Sequence, residues 1–520
     1  CGFRVVLSSP STTELFEQGV HAVMSDNICF PGKLAHGHIV DLINRKVDRI
    51  FYPNVVYEQK EHSSSCNSFN CPVVTGYPDV IRSASNPEGR YGIPLDSPAV
   101  SFKDAALLEK QLFHFVKSFG VKRLSSNLAV RQALKAQSDF RKRVLEMGSN
   151  LIAAAEKEAR RMVVLSGRPY HVDPLINHGI PELLAGYGVD VLTEDALPLD
   201  TVEALRQNGI LTQWAYVNRI IAAAEYVGNK KNMYMVQLAS FGCGLDALSS
   251  DEARRILEKK NHSYTLIKID EMANLGAVKI RLRSLLETDR GGRDCIAPHP
   301  VYPLCGKGDR KKIIVPWISP MYSPLVAPAF EACGLPAEVL APPDRQSVEL
   351  GLRYVNNDLC YPAVIIIGDI IKAFRSGQYD PERTTIVFPQ TFGQCRASSY
   401  LPLMEKALQC AGYEKVEVLS LSITSGDLQI DLPIDKKVFL KKLSLELIFA
   451  DALARLYYAM VPREIIKGKA GAIHRKYLER IAEEPADFDS LFILLKRAVA
   501  EFNSLEATSA AIPVVGVLGE

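Results

Sequence analysis

The 520 residues suffice for about three to five domains at roughly 100–200 residues each. A composition of 47% hydrophobic and 23% charged residues excludes long disorder, and 61 basic against 59 acidic residues, a net +2, excludes a phosphate-driven nucleic-acid binder. No run of about 18 apolar residues exists, so no membrane-crossing helix is expected; the apolar stretch 363–371, interrupted by Asp369, reads as a buried strand and turn.

In chain order, Arg4-Val5-Val6-Leu7-Ser8 reads as a short apolar strand followed by a Ser/Pro/Thr loop and a helix. Residues 101–160 carry apolar side chains at helical spacing, as at Leu107, Leu108, Leu112, Phe113 and Val116. Met162-Val163-Val164-Leu165-Ser166 opens a second strand–loop–helix–strand unit, with its helix reaching about Ala185 and the next strand over 189–192. Residues 288–312, rich in Gly, Arg and Pro, read as a linker. Ile313-Ile314-Val315-Pro316-Trp317 opens a third unit, with a helix to about Cys333 and a strand over 337–340. Residues 435–506 are again helical, either a dimerisation or docking bundle or a layer packed on its own domain. Strands alternating with helices imply parallel sheets. The expected fold class is α/β: three doubly wound parallel-sheet domains with added helical segments. Their bounds are 1–100, 161–290 and 313–430, with helical segments 101–160 and 435–506 and a linker at 291–312. The chain begins at Cys1, and residues 507–520 read as the start of a further unit, so a segment of a longer protein is expected.

One internal match stands out. Asn27-Ile28-Cys29-Phe30-Pro31 aligns with Asp358-Leu359-Cys360-Tyr361-Pro362, and the alignment runs on through Gly37 with Gly368 and Ile39 with Ile370, which favours duplication.

Eleven cysteines in a long chain suit a reducing cytosol, where metal ligands or buried thiols are the readings to weigh. Cys29 and Cys360 precede Pro-containing helix starts, where the helix dipole should lower a thiol pKa. Cys243 follows the strand at 233–239, Cys395 the strand at 384–388, and Cys71 another apolar strand. All five lie where strand passes to helix, the ligand-binding edge of an open α/β sheet. Cys333 and Cys410, at helix C-termini, read as inert core thiols; Cys295 and Cys305 lie in the linker, and Cys66 is open to either reading. Zinc usually takes close Cys pairs, which are missing. Dispersed cysteines with glycine neighbours suit an iron–sulfur cluster better, and ferredoxin spacing is absent. No Gly-x4-Gly-Lys-Ser/Thr loop occurs, so ATP binding by this segment is not expected.

The combination Cys29-Phe30-Pro31-Gly32-Lys33, Phe69-Asn70-Cys71-Pro72, Phe241-Gly242-Cys243-Gly244, Asn357-Asp358-Leu359-Cys360-Tyr361-Pro362 and Cys395-Arg396-Ala397-Ser398 resembles the large acyl-CoA dehydratase activase-related proteins. These are similar to 2-hydroxyacyl-CoA dehydratase and benzoyl-CoA reductase subunits and to double-cubane cluster proteins. The resemblance covers residues 1 to about 430, and residues 516–520 resemble the start of a further domain in the large members. It implies a cytoplasmic iron–sulfur oxidoreductase component that reduces a small molecule with low-potential electrons from an ATP-hydrolysing iron–sulfur activase. The implied cofactor is a double-cubane (8Fe–9S) cluster on six cysteines, or alternatively a 4Fe–4S cluster. Five ligands would be Cys29, Cys71, Cys243, Cys360 and Cys395, with Cys66 the nearest spare for a sixth. Lys33 and Arg396 would balance cluster charge, or make ordinary salt bridges. His36 and His38 are candidate donors of protons or hydrogen bonds, against helix-surface or capping roles of equal weight, and His171, in the second domain's first βα loop, is a candidate substrate-side group. Phe392 and Gln394 stand where relatives are richer in Gly and would narrow the pocket. Two other readings remain: a radical 2-hydroxyacyl-CoA dehydratase-like component, which needs a CoA-sized channel, and a non-catalytic scaffold or electron-relay module.

Overall fold

The computed structural model describes residues 1–199, 210–272, 275–288, 312–390, 393–424, 427–429, 432, 434–485, 487–509 and 512–513. The linker at 291–311, with Cys295 and Cys305, lies outside the described residues, as do Phe392 and the terminal residues 514–520. The fold is mixed α/β with several parallel-strand sheets. It divides into two units.

The described residues of the first unit come from Cys1–Pro300, Asn356–Cys360 and Phe392–Pro402. Helices α1 (Thr13–Gly19) and α2 (Phe30–Asn44) open it. The strands β1 (Ile50–Phe51) and β2 (Asn54–Tyr57) then run parallel to β3 (Leu95–Asp96) and β4 (Ala99–Ser101), with α3 (Pro72–Ala84) and α4 (Pro87–Tyr91) between them. Two helices follow, α5 (Ala105–Val116) and the 35-residue α6 (Arg123–Lys157). The main sheet is built from β5 (Met162–Ser166), β6 (Asp190–Thr193), β7 (Met233–Ser240) and β8 (Tyr264–Ile269) in the order β6-β5-β7-β8, all parallel. Helices α7 (Pro174–Asn177), α8 (Ile180–Ala185), α9 (Ala215–Val227), α10 (Gly244–Lys259) and α11 (Leu275–Thr288) connect and cover it. Every residue of β5 and β7 is buried, as central parallel strands require. Leu15 of α1 and Phe30 and Leu34 of α2 share one hydrophobic cluster with Val163, Leu165, Val236 and Leu238 of this sheet.

The second unit is built on a sheet ordered β10-β9-β11-β12-β13. Its strands are β9 (Lys312–Val315), β10 (Ala337–Val339), β11 (Thr384–Pro389), β12 (Glu417–Thr424) and β13 (Asp427–Gln429). The first four are parallel; β13 closes the edge antiparallel. Helices α12 (Val326–Glu331), α13 (Arg345–Tyr354), α14 (Tyr361–Arg375) and α15 (Tyr400–Cys410) accompany them. A three-helix layer, α16 (Lys436–Met460), α17 (Lys469–Glu483) and α18 (Phe488–Asn503), buries Phe449, Leu453, Tyr477, Leu491 and Phe502 together with Leu325 of the same unit. The helical region thus packs on the core of its own unit.

Two sequence expectations fail. Residues 4–8 form no strand, and Val5 and Leu7 stay 77% and 78% exposed. β propensity needs a neighbouring strand, and none pairs with this segment among the described residues. The run 363–371 is not a strand and turn but the middle of α14. A short apolar run cannot distinguish a buried strand from a buried helix by periodicity.

The internal match has a structural counterpart. α2 and α14 are both 15 residues long and begin and end at matching positions. Each packs on a preceding helix through a glycine: a Cβ at Gly37 would strike the Leu15 carbonyl, and one at Gly368 the Ser347 carbonyl. Gly37→Ala and Gly368→Ala should therefore each cost about 1–3 kcal/mol by overpacking. Gly76→Ala, in α3 with nothing within 4 Å of its Cβ position, should instead stabilise by about 0.5–1 kcal/mol. Denaturant melts of the three variants check the contrast.

Candidate functional site

Each junction cysteine stands at the start of a helix, but the expected passage from strand to helix holds only for Cys71, Cys243 and Cys395: the element before Cys29 is a helical turn and the one before Cys360 is α13. Cys29, Cys71 and Cys243 are the N-cap residues of α2, α3 and α10, all with extended backbone, and Pro31 and Pro72 fill the first turns of their helices. Cys360 directly precedes α14, and Cys395 caps the short 3-10 turn Arg396–Ser399 ahead of α15. Cys243 follows β7, the third strand of its sheet, and Cys395 follows β11, the third strand of the other. In both sheets the chain moves from the first strand to one side and then crosses to the other. The loops after the first and third strands therefore flank the switch point, where ligands bind outside the carboxyl ends of the strands.

All five residues belong to the first unit, because Asn356–Cys360 and Phe392–Pro402 cluster with it. Side chains tie the segments together. Asn356 Nδ2 donates to Asp251 Oδ1 on α10 at 3.0 Å, and Asp358 pairs with Lys268 of β8, which holds the approach to Cys360. Gln394 Nε2 donates to the Asn70 carbonyl at 3.1 Å and to Thr75 Oγ1 at 2.8 Å, joining the Cys395 loop to the start of α3. Gln213 Nε2 donates to the Gly393 carbonyl at 2.6 Å and Trp214 Nε1 to the Gln394 carbonyl at 3.2 Å. The Arg396 side chain lies where a Cβ on Gly244 would be, so the glycine after Cys243 makes room for it. At the other end, Phe30 stacks on His178 with centroids 6.3 Å apart and fixes the start of α2 against the main sheet.

A buried ion pair sits among three of these thiols. Arg168, in the loop after β5, donates through Nε to Asp246 Oδ1 at 2.9 Å, and both side chains are 2% exposed. Asp246 Oδ2 also accepts from Ser240 N at 3.0 Å, closing the turn that carries Cys243. Gly242 in that turn has φ +67°, a left-handed conformation that glycine takes without strain. Asp246 and Arg168 act electrostatically in opposite senses on Cys29 and Cys243, and Cys71 and Cys243 act on Arg168. Arg168 Nη2 is buried without a hydrogen-bond partner among the described residues. Arg168 and Asp246 were not read from the sequence; the only signal was that Arg168 lies three residues before His171.

The thiols reverse one expectation. Burial pushes Cys29 up to about 11, only partly offset by the Gly32 amide, while Cys71 and Asp246 add to the rise. Burial raises Cys243 as well, with Asp246 pushing the same way. The helix dipole does not win here, because removing a thiolate from water costs more than the helix start returns.

The remaining candidates fall into different surroundings. Lys33 is 7% exposed and bonds Glu271 Oε1 at 2.8 Å, so its charge is already matched. His36 is fully buried between α2 and α3, with Ser85 Oγ 3.3 Å from Nδ1 and Tyr77 OH 3.1 Å from Nε2. His38 meets Ser8 Oγ at 2.9 Å and Ser11 Oγ at 3.3 Å, and Ser11 in turn donates to Asp173 at 2.6 Å. His171 is buried, accepts from Arg168 N at 2.9 Å through Nδ1, and is held neutral by burial, down at about 4. Its Nε2 has no partner among the described residues. Cys66 is exposed and bonded to Thr212, beside a cavity of about 640 Å³ that Gln394 also lines. Cys333 is half-buried and Cys410 exposed, so neither is the buried core thiol that was expected. Among the described residues no three His, Cys, Asp or Glu side chains converge as on a single metal ion.

Removing one member of the buried pair should be worse than removing both. Arg168→Met strands the Asp246 carboxylate and should cost about 3–5 kcal/mol. Arg168→Met with Asp246→Asn should recover much of that loss in denaturant melts. A second test uses Glu194, whose Oε2 accepts from Gly167 N at 3.2 Å and which burial raises to about 7. A carboxyl raised in the folded state binds more protons folded than unfolded between its two pKa values, so its contribution falls as pH climbs through that window. Glu194→Gln should therefore gain stability over the parent between pH 5 and pH 8, read from melts at each pH.

Comparison with known proteins gives one match. Residues 1–197 match the family model described as the CoA enzyme activase uncharacterised domain. No curated protein and no solved structure matches the chain. The matched span holds Cys29, Cys66, Cys71, Arg168 and His171, and ends before Cys243, Cys360 and Cys395. Over that span the chain is similar to the CoA enzyme activase domain.

Proposed function

We propose that this chain is the iron–sulfur component of a reductase that receives low-potential electrons from a separate ATP-hydrolysing activase and reduces a small molecule. The observation that carries the reading is the gathering of five cysteines, each at a different helix start, into one unit from three separate stretches of chain. The donor set fits a cluster better than a lone ion. Thiolates around an iron–sulfide cage stand apart, one per corner iron, whereas ligands of a single ion converge. Cys29, Cys71, Cys243, Cys360 and Cys395 would hold it, and such a cluster supplies one-electron transfer. The chain's own groups set its surroundings. Arg168, its charge balanced by Asp246, keeps Nη2 as a buried donor without a partner among the described residues, and Arg396 lies over Gly244 beside Cys243. His171 accepts from Arg168 N through Nδ1, so its neutral ring carries the proton on Nε2 and can donate a hydrogen bond from there without bringing charge into the site. A double-cubane cluster would need a sixth ligand, and Cys66, exposed and bonded to Thr212, is a weak candidate.

A radical 2-hydroxyacyl-CoA dehydratase-like role is the second reading, favoured by one observation. A groove of about 910 Å³ runs along β8 and α11, with Arg254, Lys268 and Arg281, the rings of Phe241 and Tyr264, and Asp358 on its walls. Phe241 lies two residues before Cys243 and Asp358 two before Cys360, so a long anionic ligand held there would reach the thiols.

Iron and acid-labile sulfide analysis on anaerobically purified protein separates the readings. About eight irons per chain supports the double cubane, about four the dehydratase-like cluster, and none a scaffold or relay module. Cys29→Ala and Cys360→Ala should each lower iron content or change the spectrum. Cys333→Ala and Cys410→Ala should leave iron unchanged, and equal loss from both pairs would overturn the assignment.

A further inference from the structure

The Tyr400 hydroxyl lies 2.6 Å from Cys360 Sγ. Tyr400 is 5% exposed, opens α15, and stands five residues beyond Cys395, so one side chain couples two of the junction segments. Cys360, Cys395 and Arg396 all act on it electrostatically. As a free thiol, Cys360 can be donor or acceptor in this contact. A thiolate bound to iron has no proton and can only accept, whereas a phenol at neutral pH still carries its own.

We propose that Tyr400 is a positioning residue for the cluster, donating a hydrogen bond from its phenol to the Cys360 sulfur. The inference rests on the iron–sulfur reading above. A donor on a ligating sulfur stabilises the form with more electron density on that sulfur, which is the reduced one, so the bond raises the reduction potential. It also fixes the rotamer of Cys360, whose backbone follows the turn closed by Leu359 N on the Asn356 carbonyl at 3.0 Å.

The test compares the full chain with Tyr400→Phe, which keeps the ring and removes only the donor. Both are purified anaerobically, assayed for iron and sulfide, titrated for midpoint potential, and examined by electron–nuclear double resonance after exchange into deuterated buffer. The expected result is equal iron in both, a lower potential in the variant, and an exchangeable deuteron coupled to the cluster in the parent that the variant lacks. Equal iron with an unchanged potential overturns the inference, since a purely structural tyrosine would give that outcome. Loss of iron from the variant also overturns it, because Tyr400 would then hold metal rather than tune it. If Tyr400→Phe fails to fold, the parent decides: no exchangeable deuteron coupling, and the proposed bond does not exist. A parent that binds no iron overturns the iron–sulfur reading and this inference with it, and is distinguished because it shows before any variant is made.

Discussion

A guanidinium taken out of water must find a counter-charge, and the placement of Arg168 against Asp246 organises the surroundings of the cysteines. The pair joins the loop after β5 to the first turn of α10, which are the two loops flanking the switch point of the main sheet. Asp246 uses its second oxygen on Ser240 N, so the same carboxylate shapes the turn that presents Cys243. Such a pair adds little net stability, because desolvation consumes most of the Coulombic gain. What it provides is a fixed geometry at the edge where β5 and β7 deliver their loops.

Around that pair, the thiols occupy N-cap positions that usually hold Ser, Thr, Asp or Asn. The cost of the choice shows in Cys29 and Cys243, whose burial raises them well above an ordinary thiol. A buried thiol at a helix start is a poor anion by itself and a good ligand once a cation replaces its proton, because metal binding couples to deprotonation. The helix starts, the Gly244 gap that admits Arg396, and the Tyr400 contact to Cys360 all suit a bound group carrying dense negative charge.

The four parallel strands of each sheet share one order, and α2 and α14 share length, preceding cysteine and a glycine seat for the helix before them. A duplicated unit accounts for this economically. Cys243 and Cys395 mark the same junction, each after the third strand of its sheet, whereas Cys29 and Cys360 match as the residues before α2 and α14, helices that stand at different places relative to the two sheets. The copies have diverged in what surrounds the sulfur. Cys29 lies within reach of Tyr77, Arg168 and Asp246, whereas Cys360 meets Tyr400.

Local pattern determined a good deal about this protein. Short apolar runs handing over to loops that carry glycine or proline marked β5, β7, β9 and β11, and proline in the first turn marked the starts of α2, α3 and α14, because both signals act within a few residues. The five cysteines were legible as a set for the same reason. Tertiary structure decided the rest. Residues 4–8 have strand propensity but no strand beside them, and residues 363–371 became helix because their flanks continue the helical turn. Lys33 found Glu271 from 238 residues away, which withdrew it from the site. Arg168 met Asp246 across 78 residues, and Cys360 met Tyr400 across 40, on segments brought together only by sheet order. The sign of the thiol shifts turned on burial, which belongs to the packed molecule: a dipole can be read from a helix start, but the water excluded from it cannot.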